Sequence, residues 1–235
     1  MERCGFRPQR FLFVGSVTAP LSGRITALKA QTKNRGRVNV YLDGSFAFGL
    51  AEIVAARLRV GQSLSDDDIA SLRQCDAQER AYDQALRFLS YRPRSTEEVR
   101  RFLAGKDVPP EVATATLARL TGAGLLDDEA FARFWVENRE SFRPRGPMAL
   151  CFELRRKGVS QEAIEQALGA ADEKDAAYRA ARTHAARLEH ADRATFFRRL
   201  GEFLQRRGFH YETVRETVDR LWREKAARDQ RSSQR

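Results

Sequence analysis

The sequence contains few of the residues on which metal and catalytic sites depend. Its 235 residues include only three cysteines and three histidines. No CxxC pair exists, and no histidine lies at a metal-ligand spacing from a carboxylate or a cysteine, so neither a zinc site nor a disulfide framework is indicated. We therefore predict no metal and no cofactor, and free thiols in a reducing cytosol. The residues concerned are Cys4, Cys75, Cys151, His184, His190 and His210.

Motifs for nucleotide binding and nucleophilic catalysis are also missing. The segment Gly122-Ala123-Gly124 begins like a dinucleotide-binding GxGxxG motif, but Asp127 stands at the last glycine position. Gly105-Lys106 lacks the upstream glycine and the following serine or threonine of a P-loop. The acidic run Asp127-Asp128-Glu129 opens a predicted helix, where carboxylates stabilise the helix dipole. The sequence therefore predicts that the protein is not an enzyme.

Long apolar runs are absent as well. No stretch approaches the roughly 20 apolar residues that a helix needs to cross a bilayer. Three arginines precede the short apolar stretch Phe11–Val14, which faintly resembles a signal peptide, but no A-x-A cleavage pattern follows. We expect a flexible leader over residues 1–23 and a cytoplasmic protein without membrane contact.

What the sequence does contain is positive charge. Lys and Arg number 42 against 32 Asp and Glu, which gives a formal net charge of +10 and a pI of about 10.1. This excess favours a partner with many negative charges, such as nucleic acid or a nucleoprotein. The alternative is an arginine-rich helical surface that is merely solvated.

A small β-meander is predicted near the N-terminus. Val38, Val40 and Leu42 alternate with polar or aromatic residues, which is typical of a half-buried strand. Asp43-Gly44 then predicts a two-residue hairpin turn, since both central positions of a type I′ turn need positive φ. From about residue 50 the spacing becomes helical, through Leu50, Ile53, Val54 and Leu58. We assign residues 24–78 to a β-meander plus helices.

The rest of the chain repeats itself with a period of about 50 residues. Leu103, Leu154 and Leu204 are 51 and 50 residues apart, and neighbouring apolar positions follow the same offsets. Each copy reads as three short amphipathic helices, which bury little alone and should stack on neighbouring copies. We therefore predict a mainly α fold, with tandem three-helix repeats in an elongated curved array. The predicted repeats span residues 79–126, 127–171 and 172–225, followed by a disordered tail over 226–235. The twelve equivalent apolar residues are Val99, Leu103, Val108, Leu117, Leu150, Leu154, Val159, Leu168, Leu200, Leu204, Phe209 and Val218.

Local signals place the turns within each copy. A proline in the Arg-Pro-Arg segments at 92–94 and 143–145 cannot continue a helix, so the chain turns there. Ser95 and Glu98 form a capping-box pattern that begins the second helix of the first copy. Gly158 and Gly208 suit the left-handed position that ends the second helix of the later copies.

Several of these strings resemble the RecX family of regulatory proteins. They are Ala85–Ser95, Gly124–Ala132 and the segment Arg155–Val159 followed by Ile164. The resemblance runs from about Arg24 to Leu221 and is weakest in the third copy. It implies tandem three-helix repeats, a monomer, and binding in the helical groove of the RecA–DNA filament. The implied partners are RecA and single-stranded DNA, with double-stranded DNA as a further candidate. It also implies inhibition of RecA ATP hydrolysis, strand exchange and co-protease activity in recombination and the SOS response.

Candidate contact residues come from charge and position, because the family offers no compact catalytic motif. One set occupies the turns before the second helices, and the other occupies the ends of those helices. The second set has an alternative interpretation, since cations there also stabilise the helix dipole. For Arg92 and Arg143 the alternative interpretation is that they cap neighbouring helices through hydrogen bonds. The candidates are Arg92, Arg94, Arg143, Arg145, Arg155, Arg156, Lys157, Arg206 and Arg207.

Two other functions stay open on sequence grounds. An autonomous DNA-binding protein would use a helix to read base edges in the major groove. The arginines gather near turns rather than along one helix, which argues mildly against it. A structural adaptor would use the repeats to bind another protein and would show no salt-sensitive DNA binding.

Overall fold

The computed structural model describes residues 22–32, 34 and 36–233. The leader predicted over residues 1–23 lies almost wholly outside the described residues. The chain divides into two compact units, Met1–Arg80 and Ala81–Arg235. The division falls inside helix α2 (Asp66–Leu89), so the two units share one helix.

The N-terminal unit is built on a four-stranded antiparallel sheet. Its strands are β1 (Gly23–Ala30), β2 (Arg37–Leu42), β3 (Ser45–Ala51) and β4 (Ser63–Leu64), in the order β3-β2-β1-β4. The predicted turn between β2 and β3 is confirmed, since Asp43 and Gly44 have φ of 48° and 86°. The two-residue strand β4 was not predicted, because two residues carry too little pattern.

A buried carboxylate joins this sheet to helix α2. Asp76 accepts a 2.6 Å hydrogen bond from the backbone N–H of Ala51, at the end of β3. The same carboxylate pairs with the guanidinium of Arg37 on β2 at 3.1 Å. A buried charge is tolerated only when it is paired and hydrogen-bonded, and these two groups satisfy Asp76.

The helix predicted from residue 50 to 58 is corrected by the structure. Leu50 lies on β3 and is fully buried in the sheet core, while α1 (Glu52–Ala55) is a single turn. Ile53, expected on the buried face, is 61% exposed. Leu50 continues the period-two alternation of Phe48, and a short apolar run fits either period.

The C-terminal unit contains the three predicted repeats, and the mainly α fold is confirmed. The first repeat uses the end of α2 from Ala81, and each later repeat has three helices of its own. The helices are α3 (Thr96–Ala104), α4 (Pro110–Gly122), α5 (Asp128–Phe142), α6 (Pro147–Arg156), α7 (Gln161–Gly169), α8 (Glu173–Ala186), α9 (Arg193–Arg206) and α10 (Tyr211–Ser233).

Each repeat has its own apolar core, and the repeated positions build it. Of the twelve equivalent residues, all are buried except Val108 and Leu168, which are partly buried against the same cores. Leu103, Leu154 and Leu204 are each completely buried. The 50-residue periodicity therefore records burial on the second and third helices.

The predicted helix boundaries are also present. Ser95 accepts a hydrogen bond from the N–H of Glu98, whose carboxylate accepts one from the N–H of Ser95. Gly158 and Gly208 have φ of 76° and 82°, and Asp107 occupies the equivalent position in the first repeat with φ of 56°. Asparagine and aspartate tolerate this region better than other residues with a side chain.

Successive repeats meet at the ends of their second helices. The C-terminal end of α6 contacts the N-terminal end of α3, where Ser95 Oγ donates to the carbonyl of Lys157 at 2.6 Å. The C-terminal end of α9 contacts the N-terminal end of α6, where the N–H of Gly146 donates to the carbonyl of Arg207 at 2.9 Å. Each junction satisfies backbone groups that a helix end leaves without intrahelical partners.

The tail prediction is corrected for residues 226–233, which continue helix α10. Lys225 anchors this helix by donating to the carbonyl of Ala191 at 2.8 Å. Ala226 and Ala227 then follow, and alanine has the highest intrinsic helix propensity. Residues 234 and 235 lie outside the described part.

Replacing Gly208 by Ala should destabilise the C-terminal unit by about 2 kcal/mol or more. Its φ of 82° disfavours a side chain, at a cost of about 1–2 kcal/mol. An added Cβ would also meet the backbone and side chain of Ala149 across the second junction. Urea unfolding followed by circular dichroism measures the change. The matched control is Gly169→Ala, which has nothing within 4 Å of the added Cβ and should be neutral or slightly stabilising. Equal losses in both variants would contradict the role given to this junction.

Candidate functional site

The first Arg-Pro-Arg segment is held against its own repeat. Arg92 pairs with Glu98 at 2.9 Å and donates to the carbonyl of Pro93 at 2.8 Å. The guanidinium of Arg94 lies 4.0 Å from the centroid of the Phe88 ring, and Phe88 stacks on Phe102. Burial and the charge of Arg92 lower the pKa of Arg94 from its ordinary value. The structure thus uses both arginines to fix the turn.

The second Arg-Pro-Arg segment divides its arginines differently. Arg145 pairs with Glu153 on α6 at 2.8 Å. Arg143 is exposed, and no hydrogen bond or ion pair is found for its side chain among the described residues. Arg143 is therefore available to a partner, and Arg145 only in part.

The cations at the end of α6 point in different directions. Lys157 is 17% exposed, pairs with Glu98 at 2.7 Å and lies 4.1 Å from the centroid of the Trp135 ring. Arg155 hydrogen-bonds Gln161 at 2.7 Å and is exposed, as is Arg156. Lys157 therefore joins the first two repeats, while the other two face solvent.

The cations at the end of α9 also divide into one that is held in a junction and one that faces solvent. Arg207, equivalent to Lys157, donates to the carbonyl of Pro144 at 2.9 Å across the second junction. Burial, with the charges of Arg145 and Arg143, lowers the pKa of Arg207 from its ordinary value. Arg206, equivalent to Arg156, is 69% exposed and lies 3.9 Å from Glu202.

Each junction carries an open groove lined by cations and aromatic rings. We define the first junction groove, between repeats one and two, by the residues around a space of about 510 Å³. Its two carboxylates neutralise cations within it. Glu153 accepts from Trp135 at 2.8 Å and from Arg139 at 2.9 Å, while Glu98 holds Lys157. The lining residues are Glu98, Arg101, Trp135, Arg139, Arg145, Phe152, Glu153, Arg156 and Lys157.

The second junction groove, between repeats two and three, encloses about 310 Å³ and has no carboxylate among its described lining residues. His184 stacks on Phe203, with ring centroids 4.3 Å apart. Burial lowers the pKa of His184 from its ordinary value, and the charges of Arg187, Arg206 and Arg207 lower it further. The lining residues are Phe142, Arg143, Pro144, Arg179, Ala180, Thr183, His184, Arg187, Phe203 and Arg207.

Sequence reasoning missed several members of these grooves. Arg101, Arg139 and Arg179 lie on first or second helices, Arg187 directly follows α8, and no motif distinguishes these four arginines. The sequence does carry a signal for two aromatic residues, because Tyr91 and Phe142 occupy equivalent positions in the first two repeats. They are 83% and 79% exposed. Both are therefore accessible to a partner, and we include them among the candidate contact residues.

No cluster of three or more metal-binding side chains occurs in the described part of the chain. None of the described helices is long and apolar enough to span a membrane. His210 contacts Glu173 at 3.0 Å and is exposed. The two junction grooves, lined by cations and aromatic rings, are the candidate site that the described residues offer.

Family models match three segments that follow this architecture. The "Regulatory protein RecX N-terminal domain" matches residues 23–65, the "RecX, first three-helix domain" matches 81–120, and the "RecX, second three-helix domain" matches 127–168. A protein named "Regulatory protein RecX" from Bacillus subtilis (strain 168) is 32% identical over 203 residues, covering 84% of this chain and 76% of the relative. The chain belongs to the RecX family.

Other RecX proteins extend this result. The chain is 38% identical over 146 residues to "Regulatory protein RecX" from Lactobacillus delbrueckii subsp. bulgaricus, covering 61% of this chain but 54% of that relative. A solved structure, "Crystal structure of regulatory protein RecX", superposes with a TM-score of 0.71 at 29% identity. It covers 83% of this chain and 98% of its own. The RecX relatives are named as regulatory proteins, and this chain resembles them in both sequence and fold.

Acid should weaken the first junction of this RecX protein through Glu98. Burial raises the pKa of Glu98, but hydrogen bonds and charges from Arg92 and Lys157 outweigh it and hold the pKa at about 2. Because this value lies below the ordinary 4.5, the stabilisation is present at neutral pH and is lost as the pH falls from about 5 towards about 2. Solvent screening limits the loss to roughly 1–2 kcal/mol.

Urea unfolding at a series of pH values tests this in wild type and Glu98→Gln. We expect the variant to be less stable at neutral pH and to lose less stability on acidification. Glu129→Gln is the matched control, since Glu129 is 63% exposed and only 4.0 Å from Arg133. A pH dependence identical in wild type and Glu98→Gln would overturn the assignment.

Proposed function

We propose that this RecX protein binds the RecA–DNA filament and mainly inhibits RecA ATP hydrolysis, strand exchange and co-protease activity, in recombination and the SOS response. The observation that carries the proposal is the display of exposed arginines at equivalent positions of successive repeats. Arg156 and Arg206 occupy one such pair of positions. The proposal places the protein in the cytoplasm as a monomer.

The repetition of exposed cations at equivalent positions suits a polymer of negative charge. Neutralising several phosphates at once releases counterions, which makes such binding strong at low salt and weak at high salt. A filament that carries DNA presents phosphates at regular intervals, so a series of repeats contacts it more strongly than one repeat does. Membership of the RecX family favours RecA as the protein in that filament.

The nine arginines and lysines proposed as contacts separate into two groups. Arg92, Arg94, Lys157 and Arg207 hold turns and junctions together, and Arg145 is paired with Glu153. The exposed group is best placed for a partner contact. It consists of Arg143, Arg155, Arg156 and Arg206.

The second candidate function is autonomous nucleic-acid binding, without RecA. Exposed aromatic rings beside arginines favour it, since bases stack on such rings. Tyr91 and Phe142 provide this combination. Binding of single-stranded DNA at protein concentrations that leave RecA ATP hydrolysis unchanged would support it over filament binding.

Titration of the protein into a RecA ATPase assay on single-stranded DNA should show inhibition at stoichiometric amounts. The triple variant Arg155→Ala/Arg156→Ala/Arg206→Ala should need a roughly 10-fold higher concentration, because it loses three cations of the exposed group. Lys157 is left unchanged, because removing it would leave Glu98 buried with one partner fewer at the first junction.

The matched control is Arg100→Ala/Arg133→Ala/Arg198→Ala, which removes the same charge from exposed helix positions away from the C-terminal ends of α6 and α9. It should inhibit like wild type. Inhibition by all three proteins alike would keep the function but refute the contact residues. No inhibition by wild type would refute filament regulation.

A further inference from the structure

The second junction groove holds more positive charge than its own structure neutralises. Arg143, Arg187 and Arg207 all line it, and no carboxylate oxygen lies within 4.0 Å of their side-chain nitrogens in the described part of the chain. Arg179 is the exception, since it pairs with Asp175 at 2.6 Å. Like charges gathered in a partly enclosed space repel one another, and a bound anion removes that cost.

In the first junction groove the protein's own carboxylates neutralise two of the arginines. There Glu153 occupies the position equivalent to Phe203 and pairs with Arg139 and Arg145. In the second groove that position carries an aromatic ring, and Arg207 lies over it with its guanidinium 4.7 Å from the ring centroid. The counter-charge that the first groove supplies internally is therefore missing from the second.

The rim of the second groove carries an aromatic ring that the protein leaves in solvent. Phe142 is 79% exposed and stands directly before Arg143. Desolvating a phenyl ring is favourable, so its exposure beside an arginine indicates a ligand that has both an anionic group and a flat apolar face.

We propose that the second junction groove binds the phosphodiester backbone of single-stranded nucleic acid, with an unpaired base stacked on Phe142. This inference deepens the proposed function, because it assigns one site to the nucleic-acid part of the filament. Arginine guanidinium groups match phosphate oxygens in bidentate geometry, and single strands offer unpaired bases for stacking. An acidic protein segment would satisfy the arginines but would leave Phe142 without a flat partner.

Direct binding without RecA tests the site. Fluorescence anisotropy of a labelled short oligothymidylate is measured with the full-length protein over a range of salt concentrations. Arg143→Ala/Arg187→Ala should weaken binding roughly 10-fold at about 0.1 M salt and should make the salt dependence shallower by about 1.4 in log–log slope. Both residues are exposed, so the fold should survive. Arg100→Ala/Arg133→Ala, with the same loss of charge elsewhere, should bind within about 2-fold of wild type.

Phe142→Ala separates a nucleic-acid strand from free phosphate. We expect it to weaken binding to the oligothymidylate about 5-fold or more, since base stacking contributes substantially. It should leave the weak binding of inorganic phosphate unchanged. Phosphate binding is followed through the NMR titration of His184, whose pKa should rise when an anion neutralises the surrounding arginines.

The outcomes are distinct for the site and for the proposed function. Equal affinity of the groove variant, the control and wild type would overturn the site even if RecA inhibition persists. If Arg143→Ala/Arg187→Ala weakened the binding of labelled polyglutamate but left the affinity for oligothymidylate unchanged, the groove would be assigned to an acidic protein segment and the site would be overturned too. If Phe142→Ala bound the oligothymidylate as tightly as wild type, the groove would be a site for free phosphate and the proposed strand site would be overturned. Strand binding through the groove without RecA inhibition would support the site and refute the proposed function.

Discussion

The end-to-end contact between second helices is the constraint on which the C-terminal unit depends. At each junction the C-terminal carbonyls of one helix accept hydrogen bonds from the N-terminal groups of the helix in the preceding repeat. The negative end of one helix dipole therefore meets the positive end of another. These contacts need backbones in close approach, and a side chain on Gly208 or Gly146 would separate them. Repeats with small cores of their own are in this way joined through groups that every helix end exposes.

The junction also determines which cations remain available for a partner. Lys157 and Arg207 stand at equivalent positions next to the left-handed glycines, and both turn into the junction. Arg156 and Arg206, one residue earlier, face solvent because successive helical residues point about 100° apart. Basic strings at a helix end thus combine a structural residue with a solvent-exposed one. Substitutions that treat such a string as one unit would confuse loss of binding with loss of folding.

The sequence predicted the repeated helices and several of their ends because burial and positive φ each restrict the type of residue. Burial is visible in the sequence as leucine at positions 103, 154 and 204. Positive φ is visible as glycine at positions 158 and 208. The junction itself leaves no such trace, since Ser95 contacts a backbone carbonyl 62 residues away and any residue supplies a carbonyl. For the same reason the direction of Lys157 and the position of Arg187 in a groove could not be read from charge alone. The short strand β4 and the helical continuation beyond residue 225 depend on tertiary contacts and local propensity that periodicity does not record.

One equivalent position shows how the repeats differ in side-chain chemistry while they share the same arrangement of helices. In the first repeat Phe102 stacks on Phe88, with ring centroids 4.1 Å apart. In the second repeat the same two positions hold Glu153 and Arg139 as an ion pair at 2.9 Å. In the third, Phe203 stacks on His184 instead. The second helix keeps its fully buried Leu103, Leu154 or Leu204 one residue later in each repeat, so the exchange at this position leaves the apolar core in place and alters the charge of the neighbouring groove. The shared helix arrangement therefore places a groove at each junction, and the residue at this position contributes to its charge, since Glu153 neutralises Arg139 and Arg145 while Phe203 leaves the arginines of the second groove for an anion.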